Sequence, residues 1–265
     1  MNIGIIGLGV VGGAVASGLQ DLGHKIHPHD IKMSTSINDV LKTEVCFICV
    51  PTPSDESGSC DTTIVDNVVG ELSDNNFSGI VAIKSTVEPG TTKKLQNKYK
   101  NLEICFVPEF LRERCAVSDF TDNHDLCVIG TKDEVAFNKL KACHGRYPEK
   151  FVQLSVTEAE LVKYFNNVYN STLIIFANSF YELCRSLDAN YSKVKDAATQ
   201  RDHINDKYLD CNENLRGFGG VCLPKDTRAL AALVKKNNLD VDFFKMLLAE
   251  NKKYKTTTYE GMRDQ

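Results

Sequence analysis

The sequence has no block of basic residues. Its 31 lysines and arginines are outnumbered by 35 acids, giving a net charge of -4. That balance excludes the electrostatic footprint of a nucleic-acid-binding protein. There is no zinc pattern of paired C-x-x-C motifs, and the ten cysteines fall in no regular framework. Both absences point away from a metal module or a disulfide-stapled secreted fold and toward free thiols in a reducing compartment, the cytoplasm. Nor is there a signal peptide or membrane span at the start. Residues 1–20 are uncharged and apolar, but Gly4, Gly7, Gly9, Gly12 and Gly13 interrupt them and no basic segment precedes them. What remains is a chain of 265 residues, 42% hydrophobic and 25% charged. Such a chain is a soluble globular protein of one large domain or two modest ones.

The glycines of the first 20 residues fit a strand, a turn and a helix. Residues 2–6 (Asn-Ile-Gly-Ile-Ile) are a short apolar run of the kind buried in parallel sheets. Gly7-Leu8-Gly9-Val10-Val11-Gly12 fits G-x-G-x-x-G, and Val11, Val15, Leu19 and Leu22 follow at helical spacing. A second strand over residues 24–29 ends at Asp30, 18 residues past Gly12. An acid there is placed for the ribose hydroxyls of a dinucleotide whose pyrophosphate sits on the helix N-terminus. Strand, helix and acid together turn a weak motif into a strong one, with NAD as the cofactor. Asp30 favours NAD over NADP, and Lys32 lies beside it. His24, His27 and His29 alternate along the strand and are read as surface or satisfied histidines, with no metal site.

Further strands are expected over residues 44–50, 79–84, 102–106 and 125–130, separated by polar or helical stretches. This is the βαβ rhythm of a Rossmann-type doubly wound parallel sheet. Ligands of such sheets bind beyond the carboxyl ends of the strands. That edge holds Pro51-Thr52-Pro53, Ser85-Thr86-Val87 and Pro108-Glu109-Phe110-Leu111-Arg112-Glu113. An all-helical region follows, so the expected domains are residues 1–155 and 156–265. Thr157 and Glu160 read as a capping box opening a helix that runs to about Leu187. Leu161, Phe165, Val168, Ile175 and Phe176 are its expected buried face. Lys163 and Asn167 share another face at i and i+4. Further helices are expected over residues 192–200 and 241–259. Long helices after a Rossmann domain often pair two copies, so a homodimer is expected.

The most distinctive stretch is residues 217–226, Gly-Phe-Gly-Gly-Val-Cys-Leu-Pro-Lys-Asp. Its glycines permit positive φ and close approach to a ligand. Cys222 stands just before a helix with Pro224 in its first turn, where the dipole favours thiolate. Lys225 adds to that effect, and Asp226 lies one turn on.

This segment resembles the catalytic segment of the nucleotide-sugar dehydrogenases that oxidise UDP-glucose or GDP-mannose to the uronic acid. Pro-Glu-Phe-Leu-Arg-Glu at 108–113 repeats a signature of the same family, and residues 159–167 resemble its helix bearing a catalytic lysine and asparagine. The resemblance covers the first two modules of the family, a short form without its third, nucleotide-binding domain. Only 13 residues, 31–43, stand where the family has a longer helical insertion. The resemblance implies a four-electron oxidation using NAD, with Cys222 forming a thiohemiacetal and then a thioester. Lys163 and Asn167 would stabilise the developing oxygen charge. Thr86 and Asp226 would place the hydrolytic water, and Glu109 would assist. Gly7, Gly9, Val10, Val11, Gly12, Asp30, Lys32, Thr52, Ser85, Thr86 and Glu113 would bind the dinucleotide. Glu109, Phe110, Leu111, Lys163, Asn167, Gly219 and Cys222 would line the sugar site, with Arg201 and Arg216 on the substrate phosphates. UDP-glucose is the first expectation for the sugar nucleotide. Two other readings stand beside this one: a non-catalytic NAD-binding subunit, and a two-electron hydroxyacid dehydrogenase.

Overall fold

A computed structural model describes residues 1–55 and 57–254. They divide into two compact units. The first takes in Met1–Pro53 and Cys60–Lys163, and the second takes in Ser54–Ser59 and the chain from Tyr164 on.

The first unit is built on seven strands: β1 (Asn2–Ile6), β2 (Lys25–His29), β3 (Val45–Ile48), β4 (Ile80–Ile83), β5 (Glu103–Phe106), β6 (Leu126–Gly130) and β7 (Lys150–Leu154). Their order is β2-β1-β3-β4-β5-β6-β7. All neighbours are parallel except β5 and β6, which meet antiparallel at Phe106 and Gly130. The expected parallel sheet is therefore present with one reversed junction, and β7 is an addition to the expected strands. The helices between strands are α1 (Val10–Asp21), α2 (Ile37–Val40), α3 (Thr63–Asp74), α4 (Thr91–Lys98), α5 (Ala116–Thr121) and α6 (Glu134–His144).

The strands read as continuous apolar runs because both sheet faces are covered. Cys46, Ile48, Val81, Ile83, Ile104 and Phe106 point into one core layer. Val45, Phe47, Ile80, Ala82, Cys105 and Ile129 point into the other. Cys46, Cys105, Cys127 and Cys143 serve as small apolar residues here. Burial pushes the thiols of Cys105, Cys127 and Cys143 up to about 12, and that of Cys46 higher still.

The chain enters the second unit along α7 (Val156–Ser186), a single helix of 31 residues. Its capping box is not the expected Thr157 and Glu160. Ser155 and Glu158 make the reciprocal pair, with the Ser155 amide donating to Glu158 Oε2 at 2.8 Å and the Glu158 amide donating to Ser155 Oγ at 3.4 Å. Glu160 is instead fully buried in the first unit and accepts from the Gly90 amide at 2.5 Å and the Thr92 amide at 2.7 Å. It thus caps the N-terminus of α4, where Gly90 holds φ +96° and offers no capping side chain of its own.

The apolar face of α7 also departs from expectation. Val168 and Ile175 are buried, but Leu161, Phe165 and Phe176 are exposed. The remaining helices are α8 (Tyr191–Ala198), α9 (Leu223–Lys236) and α10 (Phe243–Asn251). The expected final helix reached residue 259, and positions 255–259 lie outside the described residues. Val168, Ile175, Phe218 and Leu247 form one core of this unit, and Ala177, Cys184, Tyr191, Leu209 and Cys211 form another. Among the described residues no helix is long and apolar enough to cross a membrane.

Candidate active site

In the first unit the glycine motif behaves as its chemistry requires. Gly7 holds φ +90°, and a Cβ there would lie 2.6 Å from the Cys49 carbonyl oxygen. A Cβ on Gly12 would lie 1.8 Å from the Gly7 carbonyl oxygen, so the turn can close only on hydrogen. Gly9 begins α1 without a side-chain cap and has nothing within 4 Å of where a Cβ would stand. The first amides of α1 therefore face a cradle that a side chain would fill, and Val10 and Val11 open the helix behind it.

Asp30 closes the other end. Its carboxylate accepts from the Leu8 amide at 2.7 Å and the Lys32 amide at 2.9 Å. These bonds, the Leu8 one first, hold its carboxyl below the ordinary range and keep it ionised. The donor-rich cradle and the anionic acid beside it fit a dinucleotide. His24 bonds the Cys143 carbonyl, His27 bonds Asn2 and His29 bonds Thr35, so all three alternating histidines have structural partners.

Thr52 and Ser85 tie strand ends together. Thr52 Oγ1 donates to the Thr86 carbonyl at 2.7 Å, and Ser85 Oγ donates to the Val50 carbonyl at 2.7 Å. The 108–113 segment is pinned in two places. Glu109 Oε2 accepts from the Leu111 amide at 2.7 Å, and the Arg112 guanidinium pairs with Asp119 at 2.6 Å. The sequence reading missed Asp119, whose carboxyl is held down to about 2 chiefly by Arg112. Glu113 is exposed in the 3-10 turn Glu113–Cys115. Lys163 reaches this segment from α7, donating to Glu109 Oε1 at 2.9 Å and to the Glu109 carbonyl at 2.6 Å. Both side chains are under a tenth exposed, and the ammonium stands 5.8 Å from the Phe110 ring centroid.

In the second unit Cys222 is exposed at the start of α9, with Pro224 in the first turn. Its carbonyl accepts from the Asp226 amide at 2.9 Å. The Asp226 side chain is buried, and Asn167 Nδ2 donates to its Oδ2 at 2.5 Å. Lys225 Nζ lies 2.9 Å from the other oxygen, so this ammonium pairs with Asp226. The structure thus brings together Glu109 with Lys163, and Asn167 with Asp226 one turn beyond Cys222.

Arg216 is engaged within its own unit. It lies 4.8 Å from the Tyr181 ring centroid and 4.9 Å from that of Tyr254, donates to Asn178 at 2.7 Å, and pairs with Glu182. Arg201 is exposed beyond the end of α8. Gly219 follows Phe218, whose ring is buried. Asn178 and Asn251, which hold residues 216–218 by bonds distant in sequence, carried no local signal.

Residues 28–147 match the NAD binding domain of the UDP-glucose/GDP-mannose dehydrogenase family, and residues 157–253 match its central domain. The UDP-glucose 6-dehydrogenase of Rickettsia felis is 32% identical over 223 residues, covering 81% of this chain and 49% of that protein. The GDP-mannose 6-dehydrogenase of Pseudomonas syringae pv. tomato is 27% identical, covering 91% of this chain and 65% of that protein. The structure of a UDP-glucose dehydrogenase from Pyrobaculum islandicum superposes with a TM-score of 0.87 at 27% identity, covering 95% of this chain and 68% of that one. The chain spans about half the length of the Rickettsia relative. Its cofactor is NAD, as the matched domain and the glycine cradle agree. With both domain matches in sequence order over this fold, the chain belongs to the UDP-glucose/GDP-mannose dehydrogenase family.

Proposed function

We propose that the protein oxidises the C6 alcohol of a nucleotide sugar, UDP-glucose first, to the uronic acid with two equivalents of NAD. The observation that carries this reading is the exposed Cys222 at the start of α9, with buried Asp226 one turn on and bonded to Asn167. A thiol so placed suits covalent capture of an aldehyde rather than simple alcohol oxidation. Bound NAD supplies the hydride acceptor for each of the two oxidations. Between them, the Cys222 thiolate adds to the C6 aldehyde and forms a thiohemiacetal. Loss of its C6 hydride leaves a thioester, which water cleaves to the carboxylate, returning the thiol.

Lys163 and Asn167 supply donors for the oxygen that becomes negative in these steps. Thr86 and Asp226 place the hydrolytic water, with Glu109 assisting, and Asp226 also holds Asn167. Arg201 is the exposed basic residue available to a diphosphate, and Arg216 is a weaker choice given its bonds to Asn178 and Glu182. Phe165, Tyr169, Phe176, Phe180 and Leu183 are exposed along α7, and Leu187 just beyond its end, which supports a second copy of the chain covering that helix.

The test is NADH formed per sugar nucleotide, with UDP-glucose, GDP-mannose and UDP-N-acetylglucosamine offered separately. Two NADH per substrate from one of them, abolished in Cys222→Ala, is the expected result. Binding of NAD with no NADH from any of the three would return the non-catalytic subunit as the better reading.

A further inference from the structure

We infer that Asn178 and Asn251 are positioning residues for the Cys222 thiol, fixing the glycine loop from its base so that the cysteine stands at the start of α9. The inference deepens the proposed function, since it takes Cys222 as the nucleophile.

A loop with Gly217 at φ +57° and Gly220 at φ +75° has little intrinsic preference for one shape. Something outside it must supply that preference. Asn251, the last residue of α10, does so with both ends of its amide. Its Oδ1 accepts from the Phe218 amide at 2.8 Å, and its Nδ2 donates to the Phe218 carbonyl at 2.9 Å. A single side chain therefore satisfies both backbone groups of Phe218, much as a neighbouring strand would. Asn178 on α7 adds the next residues back. Its Oδ1 accepts from the Gly217 amide at 3.2 Å and from Arg216 Nε at 2.7 Å, while its Nδ2 is spent on the Ile174 carbonyl at 2.8 Å.

Both asparagines are buried, Asn178 to 1% exposure and Asn251 to 9%. Buried amides are costly unless bonded, and each of these is bonded at both its oxygen and its nitrogen. The Phe218 ring seals the arrangement against Val168, Ile175 and Leu247. The chain is thus held through Phe218 and opens only at Gly219, three residues short of Cys222. Those three residues join the fixed Phe218 directly to Cys222 and the first turn of α9, so the base sets where the chain enters that helix.

The test needs neither NAD nor sugar nucleotide. In the full chain, the rate of Cys222 alkylation by iodoacetamide is followed across pH by mass spectrometry of the Cys222 peptide. Asn251→Asp keeps the acceptor for the Phe218 amide but places a charge against the Phe218 carbonyl. Lys225 and Asp226, the charged groups in the first turn of α9, are unchanged by it. The expected result is alkylation at least about threefold slower at neutral pH, converging on the wild-type rate at alkaline pH, as a thiol drawn off a helix N-terminus would behave. Coincident rates at every pH, with only a lower melting temperature, would make Asn251 an ordinary core residue and overturn the inference.

Should Asn251→Asp not fold, hydrogen exchange of the wild type decides. The Phe218 amide is expected to be protected like the interior amides of α9, and exchange at the rate of an open loop would overturn the inference. Absence of NADH formation by the wild type would remove the proposed reaction and leave the alkylation result standing.

Discussion

Lys163 holds Glu109 by two atoms at once, its ammonium lying 2.9 Å from the carboxylate and 2.6 Å from the backbone carbonyl of the same residue. Buried ion pairs are tolerated when each charge has its partner, and cost most when one partner is removed. Glu109→Ala removes the carboxylate that neutralises the ammonium and is expected to lower stability by about 3 kcal/mol. Adding Lys163→Met to that variant is expected to recover most of the loss. Urea unfolding of the two single variants and the double variant measures the coupling.

Gly12 and Gly13 are neighbours in α1 with opposite surroundings. A Cβ on Gly12 would meet the Gly7 carbonyl oxygen at 1.8 Å, whereas one on Gly13 would meet nothing within 4 Å. Gly12→Ala is expected to destabilise the first unit and to abolish NAD binding. Gly13→Ala is expected to stabilise it by about 0.5–1 kcal/mol through helix propensity alone. Thermal melting and NAD titration of the pair separate the two effects.

The Arg112–Asp119 pair gives a pH signature. Arg112 holds the Asp119 carboxyl down to about 2, against an ordinary value of 3.8. A lowered carboxyl contributes stability that is present above its unfolded value and lost as pH falls through its folded one. Asp119→Asn is therefore expected to melt lower than the wild type by a constant margin above about pH 4, with the difference closing toward pH 2. Half of the Arg112 side chain is exposed, so the margin is about 1 kcal/mol. Melting temperatures of both proteins across pH 2–7 provide the check.

Cys222→Ser bears on the proposed chemistry directly. A serine hydroxyl lacks the ready ionisation of a thiol at neutral pH, so uronate release is expected to stall while NAD binding is unchanged. Chromatography of the sugar nucleotides after a single turnover would identify what accumulates. Uronate formed at the wild-type rate would exclude a covalent thioester.

The parts of this architecture legible in the sequence are those set by neighbours in the chain. The glycine turn, the helix behind it and the acid at Asp30 each follow from local backbone chemistry, and the structure has them where their spacing put them. Two acids near the start of α7 fit the same capping template, and sequence spacing chose Glu160 over Glu158. Only the fold shows that Glu160 is spent on Gly90 and Thr92, some 70 residues away. Helical period likewise grouped Phe165 with Val168 and Ile175 without showing which of them the second unit covers. β7, Lys-Phe-Val-Gln-Leu, is half polar at the sheet edge and gave no apolar run to find. Arg216 reads as a phosphate ligand in the sequence, which gives no sign of the Tyr181 and Tyr254 rings that lie within 5 Å of it.

Glu160 also acts as an index mark for α7. With its carboxylate locked on two amides of another helix, the rotation of α7 about its own axis is set at that point. Lys163 lies less than one turn further along. A single residue inserted between the two would swing the ammonium by about 100° away from Glu109. Across related sequences this short interval should therefore vary in side chains but never in length, while the loops to either side are at liberty to grow.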